Sequence, residues 1–424
     1  MSWVSVIGFG ICLGIILSAF RRDADVLSPG RVFGFVWSLA IALTELKLSA
    51  LQHVWSFQSW ILLLTAILAF LVGVCVAYVL NLDRPLLPIS AMRKVLREEE
   101  VREGRLFWLI CLSVVIYAVG YVANYLVKGW LPIEAAARSI SRVDFNVTGL
   151  TFVIYLVPSI MFITVLYVHK VRGNRIKKAF LAFLFLIVLG SFLLFVSRLQ
   201  IIIAVILCVT FFHYATQYIR LRTAVIVFLM AGAFFYWISS IRFSHLVATF
   251  LYWSSGMKFS VEYAFATEPY MYVVMNLENF ARAVNRVDYH TFGYYTFDFI
   301  TAMAGLKYWV YEYFNMNRFP YLISGYNTYS IFWLFYSDFG VIGLAVIPWL
   351  LGFGTGLLYY RMRRRPSLRN VTAYGIMVVV MVFSFFVFPL SFLWFEFNLL
   401  VIYLALRWTV VPRKDLGASP VMSA

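Results

Sequence analysis

The sequence predicts an all-α polytopic membrane protein with about eleven transmembrane helices and one large structured loop on its outer side. Three observations predict it. The 424-residue chain is 63% hydrophobic and 13% charged, about half the charge of ordinary soluble domains. Apolar runs of eighteen or more residues recur from Trp3 to Val411, and each is long enough to cross a hydrocarbon core of roughly 30 Å as a helix. The runs are continuous instead of alternating, which favours helices over a barrel, because a helix satisfies its own backbone hydrogen bonds in lipid. A soluble fold of this size is excluded, since 35 basic and 19 acidic residues gathered into short loops do not cover its exterior.

The first run, Trp3 to Phe20, carries neither a basic leader nor a small-residue cleavage pattern, so it reads as a retained helix and not a signal peptide. Helices follow at Val32 to Leu51, Trp60 to Leu80, Leu106 to Leu126, Leu150 to Val168, Ala179 to Val196, Ile201 to Gln217 and Ala224 to Ser240. The last three lie at Tyr329 to Tyr360, over-long for one span, then Val371 to Phe388 and Phe392 to Trp408. The chain thus divides into eight helices over 1–240, an outer cap over 241–326, and three helices with a tail over 327–424. Alternate connections hold most of the 35 basic residues, among them Arg93, Lys94 and Arg97, then Arg172, Arg175, Lys177 and Lys178, then Arg361, Arg363, Arg364 and Arg365. By the positive-inside rule that side is cytoplasmic, which puts the amino terminus outside and the carboxyl terminus inside. Topology and anionic lipid headgroups account for the net charge of +16, so no nucleic-acid partner is expected. Cys12, Cys75, Cys111 and Cys208 all lie in apolar runs without CxxC pairing and read as small hydrophobes, not as a disulfide or zinc site.

Two outer segments depart from tight turns. Val127 to Gly149, with Pro132, Glu134, Arg138, Arg142 and Asp144 among apolar positions, suggests a short interfacial helix. Ile241 to about Tyr326 is too long for a passive linker and too rich in tyrosine for disorder; it predicts a structured cap with parts dipping into the bilayer.

Candidate functional residues concentrate on that outer side. Arg198 interrupts two apolar runs in LLFVSRLQIII, and a guanidinium at that depth calls for an anionic partner, either a ligand or a lipid phosphate reached by snorkelling. The cap adds Arg242, Arg282, Arg286 and Arg318. Outer arginines run against the positive-inside bias, so several should converge on an anion, unless Glu262, Glu268, Glu278, Asp288, Asp298 or Glu312 neutralise them. His290, in RVDYHTFGYY beside Tyr289, is a candidate general base near neutral pH, with Asp288 and Asp338 as rivals. Gly325 to Gly343 begins with the polar cluster Tyr326 and Asn327 and enters a helix holding Asp338, Gly340 and Gly343. That is the pattern of a buried carboxylate with close backbone approach, or of a packing motif with an Asp cap.

Gly-Tyr-Asn-Thr followed by Tyr-Ser-Asp-Phe-Gly resembles the late outer-loop-to-helix segment of bacterial oligosaccharide repeat-unit polymerases, the Wzy-type O-antigen polymerases. FARAVNRVDYHTFGYYTF is similar to their preceding outer loop and FVSRLQIIIAVIL to their mid-chain Ser-Arg turn. Ten residues separate Arg282 from Gly293, as in an Arg-ten-Gly motif of some members, whereas Arg318 lacks a glycine at the second expected spacing. The resemblance covers the helix count and roughly the second half of the chain. Related O-antigen ligases carry a His-Asn pair where this chain has Tyr326 and Asn327, and a Glu at Asp338, which favours polymerase over ligase. A flippase for lipid-linked oligosaccharide is the other alternative, though no internal repeat of the transporter kind is visible.

The resemblance implies a bacterial inner-membrane glycosyltransferase that acts without a metal or other cofactor. It would move a nascent glycan from undecaprenyl pyrophosphate to the non-reducing end of a new lipid-linked repeat unit, at the periplasmic face. Arg198, Arg242, Arg282, Arg286, Arg318, Tyr289, Tyr326 and Asn327 would bind substrate, and His290, Asp288 or Asp338 would serve catalysis. A separate chain-length-determining co-polymerase is the implied partner, besides the lipid-linked glycans and the membrane lipid itself.

Overall fold

The computed structural model describes residues 2–21, 24–134, 145–147, 149–194, 198–216, 245–287, 289–313 and 321–411. The expected helix Ala224 to Ser240, and the candidates Arg242, Asp288 and Arg318, lie outside these residues. The described chain is helical without strands; its only sheet-like pairings are two isolated bridges, Ser49 with Met257 and Val101 with Val410. In order the helices are α1 (Trp3–Ala19), α2 (Pro29–Thr44), α3 (Phe57–Val79), α4 (Ile89–Glu98), α5 (Glu103–Lys128), α6 (Thr151–Ile154), α7 (Val157–Lys170) and α8 (Arg175–Leu194). They continue as α9 (Leu199–Ala215), α10 (His245–Ser254), α11 (Thr267–Ala283), α12 (Asp298–Met303), α13 (Lys307–Tyr313), α14 (Ile331–Arg364), α15 (Leu368–Phe383) and α16 (Leu393–Thr409). Five described stretches are long and apolar enough to cross a membrane: Phe57–Val79, Glu103–Lys128, Phe152–Lys170, Arg175–Leu194 and Ile331–Arg364. Shorter apolar helices accompany them at Trp3–Ala19, Pro29–Thr44, Leu199–Ala215 and Leu368–Phe383. This is the architecture of a helical membrane protein.

The chain separates into two compact units. Unit 1 comprises Met1–Pro88, Leu221–Arg364 and Ala373–Glu396. Its helices start where the local chemistry permits: Ser2 and Ser56 accept the free N–H groups of Ser5 and Ser59, and Pro29 occupies the first turn of α2, where a missing donor is harmless. The centre of the unit is the contact of α3 with α14. A Cβ on Gly352 would overlap the carbonyl of Phe70, and one on Gly73 the carbonyl of Trp349, so the two backbones touch. Aromatic rings close the space beside them, with Phe33 stacked on Phe70 at 3.8 Å and Trp37 on Phe332 at 4.6 Å.

The described part of the outer segment packs into this unit instead of forming a body of its own. Tyr252, Met257, Tyr270, Met271, Val274 and Met275 make an apolar cluster that also takes in Leu43, Leu48 and Leu51 from the end of α2 and the loop after it. That cluster holds α11 against the α2–α3 connection.

Helix α14 is broken within the unit. Gly340 has φ 61° and ψ −146°, a combination open essentially to glycine alone. A Cβ on Gly343 would overlap the carbonyl of Phe335, eight residues earlier, a pair about 12 Å apart in a straight helix. The chain therefore folds sharply at Gly340 into a buried piece, 331–339, and a long piece, 341–364. The over-long run seen in the sequence is two helices.

Unit 2 comprises Ile89–Arg220, Arg365–Thr372 and Phe397–Ala424. Its amphipathic helix α4 buries Met92 and Leu96 and is tied down by cations: Arg93 donates to the carbonyl of His213 at 3.0 Å, and Lys170 to that of Leu96 at 2.6 Å. Asn398 bonds Ser159 and the carbonyl of Tyr155 in the same unit.

Candidate anion-binding site

Helix α11 carries buried polar side chains on its apolar faces. Asn279 donates to the carbonyl of Thr328 at 2.9 Å and accepts from the N–H of Ile323 at 2.9 Å, while Asn276 accepts from the Thr328 hydroxyl. These bonds pin the segment that contains Gly-Tyr-Asn-Thr along the helix. Tyr326 is tied to Ser255 at 2.9 Å, and Asn327 is exposed. On the other side, the Tyr270 hydroxyl donates to Gln52 at 2.7 Å and accepts from the N–H of Leu48, which fixes the loop after α2. Burial pushes that hydroxyl up to about 12, so it stays a donor.

At the carboxyl end of α11 the loop and the helix border a half-open cavity of about 340 Å³, lined by His53, Val54, Trp55, Ser56, Glu278, Ala281, Arg282, Asn285 and Arg286. Glu278 and Arg282 share one face of α11, and the turn that follows the helix brings Asn285 and Arg286 to the same lining. Their commitments differ. Glu278 is 2% exposed; it pairs with Lys47 at 2.6 Å and accepts from the N–H of His53 at 3.3 Å. Lys47 is also 3.3 Å from Glu45 and lies over the Trp55 ring at 5.2 Å. Asn285 is locked by Ser59 at 3.0 Å, the carbonyl of Ala281 at 2.8 Å and Ser56 at 3.1 Å.

Arg282 and Arg286 have no such commitments. Neither forms an ion pair among the described residues, and the carboxylate that shares their lining, Glu278, is matched by Lys47. The Nε–H of Arg282 and the indole N–H of Trp55 are buried with no acceptor among the described residues. A buried donor left without a partner destabilises by about 1–3 kcal/mol. All of these unmatched groups are donors, so the cavity suits a ligand made of acceptors: a phosphate or pyrophosphate, which a guanidinium grips bidentately. Among the described residues no group of three His, Cys, Asp or Glu is placed to hold a metal.

The other candidates lie elsewhere. Arg198 is half-buried directly before α9 in unit 2. Tyr289 and His290 are exposed and outside the cavity lining. His290 sits 3.3 Å from the carbonyl of Ser337 and against Gly340, where a Cβ would come within 2.8 Å of its Nε2. Asp338 is 0% exposed and fully engaged: Oδ1 accepts from the Thr291 hydroxyl and the N–H of Tyr295 at 3.1 Å, and Oδ2 from the N–H of Thr296 at 2.6 Å. The carbonyls of Ser337 and Asp338, freed by the break at Gly340, accept from the N–H groups of Thr291 and Phe292 at 3.1 and 3.0 Å. Asp338 thus stitches residues 291–296 into the helix break, and its oxygens are not open to a substrate hydroxyl. The alternative weighed for it from the sequence, a structural cap, is the one its geometry fits.

Lys47, His53, Trp55 and Asn285 are the site residues that the sequence did not single out. A helix expected to run to Leu51 ends at Thr44, and the polar loop so released brings them to α11. Glu45 and Lys47, charged residues inside an expected span, were the available signal.

Compared with models of known protein families, with curated proteins and with solved structures, the chain matches none.

Proposed function

We propose that the protein is an integral-membrane glycan polymerase of about eleven spans that acts on undecaprenyl-pyrophosphate-linked oligosaccharide at the outer face of a bacterial inner membrane. The observation that carries this reading is the pair of guanidiniums, Arg282 and Arg286, facing a cavity whose lining carboxylate, Glu278, is already paired with Lys47. In the reaction, the anomeric C–O bond to pyrophosphate breaks and a new C–O bond forms to a hydroxyl of the incoming unit. The hydroxyl loses its proton, and undecaprenyl pyrophosphate leaves as the anion. Arg282, Arg286 and the Trp55 N–H are suited to hold the charge that grows on the leaving group. His53, an exposed imidazole in the same lining, is suited to take the proton, with His290 and Asp288 as the sequence-based rivals. A chain-length-determining partner is part of the same proposal.

Purified full-length protein incubated with synthetic undecaprenyl-pyrophosphate repeat units tests it. A ladder of elongated products is expected, unchanged by chelator, with His53→Gln lowering kcat about hundredfold. Failure of the wild type to elongate, or lost export with an unchanged ladder in cells lacking the protein, would replace polymerisation by transport.

A further inference from the structure

The loop after α2 holds a lysine in a costly conformation. Lys47 has φ 49°, in the left-handed region that residues with a side chain rarely occupy. Bonds on both sides fix that turn. The carbonyl of Lys47 accepts from Lys258 Nζ at 2.9 Å, and the next residue, Leu48, donates its N–H to the Tyr270 hydroxyl at 3.1 Å and accepts from the N–H of Lys258 at 2.9 Å. From there the ammonium meets the Glu278 carboxylate, 2.6 Å away on a residue only 2% exposed. Lys47 itself is not among the residues lining the anion cavity, so it bears on a ligand there through Glu278.

Glu278 has a second natural partner. It stands four residues before Arg282 on one face of α11, the order and spacing at which a glutamate and a following cation pair readily on a helix. Among the described residues that pair is not made: the carboxylate goes to Lys47, and the Nε–H of Arg282 is left buried with no acceptor. Removing Lys47 would leave Glu278 buried and unpaired, which is strongly unfavourable, and the cation one helical turn away is Arg282. A carboxylate and a phosphate compete for the same fork of N–H groups. Glu278 would then occupy the guanidinium that a ligand needs.

We infer that Lys47 is a positioning residue for the anion site: by neutralising Glu278 it keeps the Arg282 guanidinium open to the phosphate group of a ligand. The inference rests on the anion-binding part of the proposed function and not on the glycan chemistry. It also gives the left-handed turn at Lys47 a use, since that turn delivers a cation from the α2–α3 loop to the back of a carboxylate on α11.

Full-length protein in lipid nanodiscs is titrated by calorimetry with undecaprenyl phosphate and, separately, with inorganic pyrophosphate. The first probe reports a lipid headgroup and the second the free anion, and whichever the wild type binds is carried through the variants. Lys47→Met should bind about tenfold more weakly, since a charge-assisted bond from Arg282 is diverted to Glu278. Lys47→Met/Glu278→Gln should regain wild-type affinity. Glu278→Gln alone should bind at least as tightly as the wild type, whereas a pair that merely braces the loop predicts looser binding. Arg282→Ala supplies a further readout: it should weaken binding in the wild-type background and add little in Lys47→Met, where the guanidinium is already taken. Should Lys47→Met fold poorly, the sign of the Glu278→Gln effect decides. Wild-type affinity in Lys47→Met, a double variant as weak as Lys47→Met, or weaker binding in Glu278→Gln overturns the inference and leaves the anion site standing. A wild type that binds neither probe overturns the anion site, and the role of Lys47 with it.

Discussion

Asp338 and Arg282 are both charged, both lie in unit 1 and both are largely withdrawn from water, but their surroundings treat the charge in opposite ways. Three donors from residues 291–296 converge on the Asp338 carboxylate, which is not among the residues lining the anion cavity. Around Arg282 the one acidic neighbour on the helix face is already held by Lys47, a buried N–H has no acceptor, and the space in front is empty of protein. A buried charge that is fully hydrogen-bonded holds a fold together, whereas one kept from its natural counter-ion waits for a ligand. Sequence position does not distinguish these cases; the distribution of partners does.

The contrast breaks most visibly through Asp338. Replacing it by alanine leaves two N–H groups and a hydroxyl buried without an acceptor and frees the loop from the helix break. Loss of about 3–5 kcal/mol is expected, seen as a fall in the detergent melting temperature, with no residual function to assign because the fold itself is weakened. An Asp338→Ala protein that melts like the wild type would mean that the carboxylate is not structural.

Arg282→Ala should do the reverse. Removing an unmatched cation leaves the melting temperature equal or slightly higher, while elongation with lipid-linked repeat units falls about hundredfold, close to the loss of one transition-state donor. Equal loss of stability in this variant and in Asp338→Ala would erase the distinction between the two sites.

Gly340→Ala probes the break on which the Asp338 site depends. The positive φ strains any other residue by about 1–3 kcal/mol, and the added Cβ meets His290 Nε2 at 2.8 Å. A drop in melting temperature smaller than that of Asp338→Ala is expected, and His290→Ala should recover the part due to the clash. A Gly340→Ala protein as stable as the wild type would show that the chain continues straight through this point.

Much of this was legible beforehand, and the reason is physical. Continuous apolar runs specify helices almost alone, so the run read as Trp60 to Leu80 appears as α3, Phe57–Val79, and Leu106 to Leu126 falls inside α5. What hydropathy does not encode is where a long run folds back. Gly340 and Gly352 look alike in the sequence, yet one takes a positive φ and the other admits a neighbouring backbone. Arg282 and Arg286 stand out in the sequence because they fall in a segment read as outer, where cations oppose the positive-inside bias. Their companions Lys47, His53 and Trp55 do not, since they reach the site by a contact more than two hundred residues away in the chain, carried by the apolar cluster around Tyr270.

The smallest expected effect is the most discriminating for the guanidinium side of the comparison. Arg282→Lys retains the charge and removes the planar fork, so an attraction that depends on charge alone should survive it. A pyrophosphate gripped through two parallel N–H···O bonds should instead lose about tenfold in elongation, roughly 1.4 kcal/mol, because a lysine ammonium presents a point charge in place of the fork. The same exchange at Arg286, which is exposed at the cavity mouth, should matter less, since its role there is attraction in a region already screened by solvent. Raising the salt concentration then separates the two: the defect of Arg286→Lys should shrink towards wild type, and that of Arg282→Lys should persist, because geometry is not screened. Equal salt dependence of both variants would place the two guanidiniums in the same solvent-exposed role and remove the reason for treating Arg282 as the residue that grips the ligand.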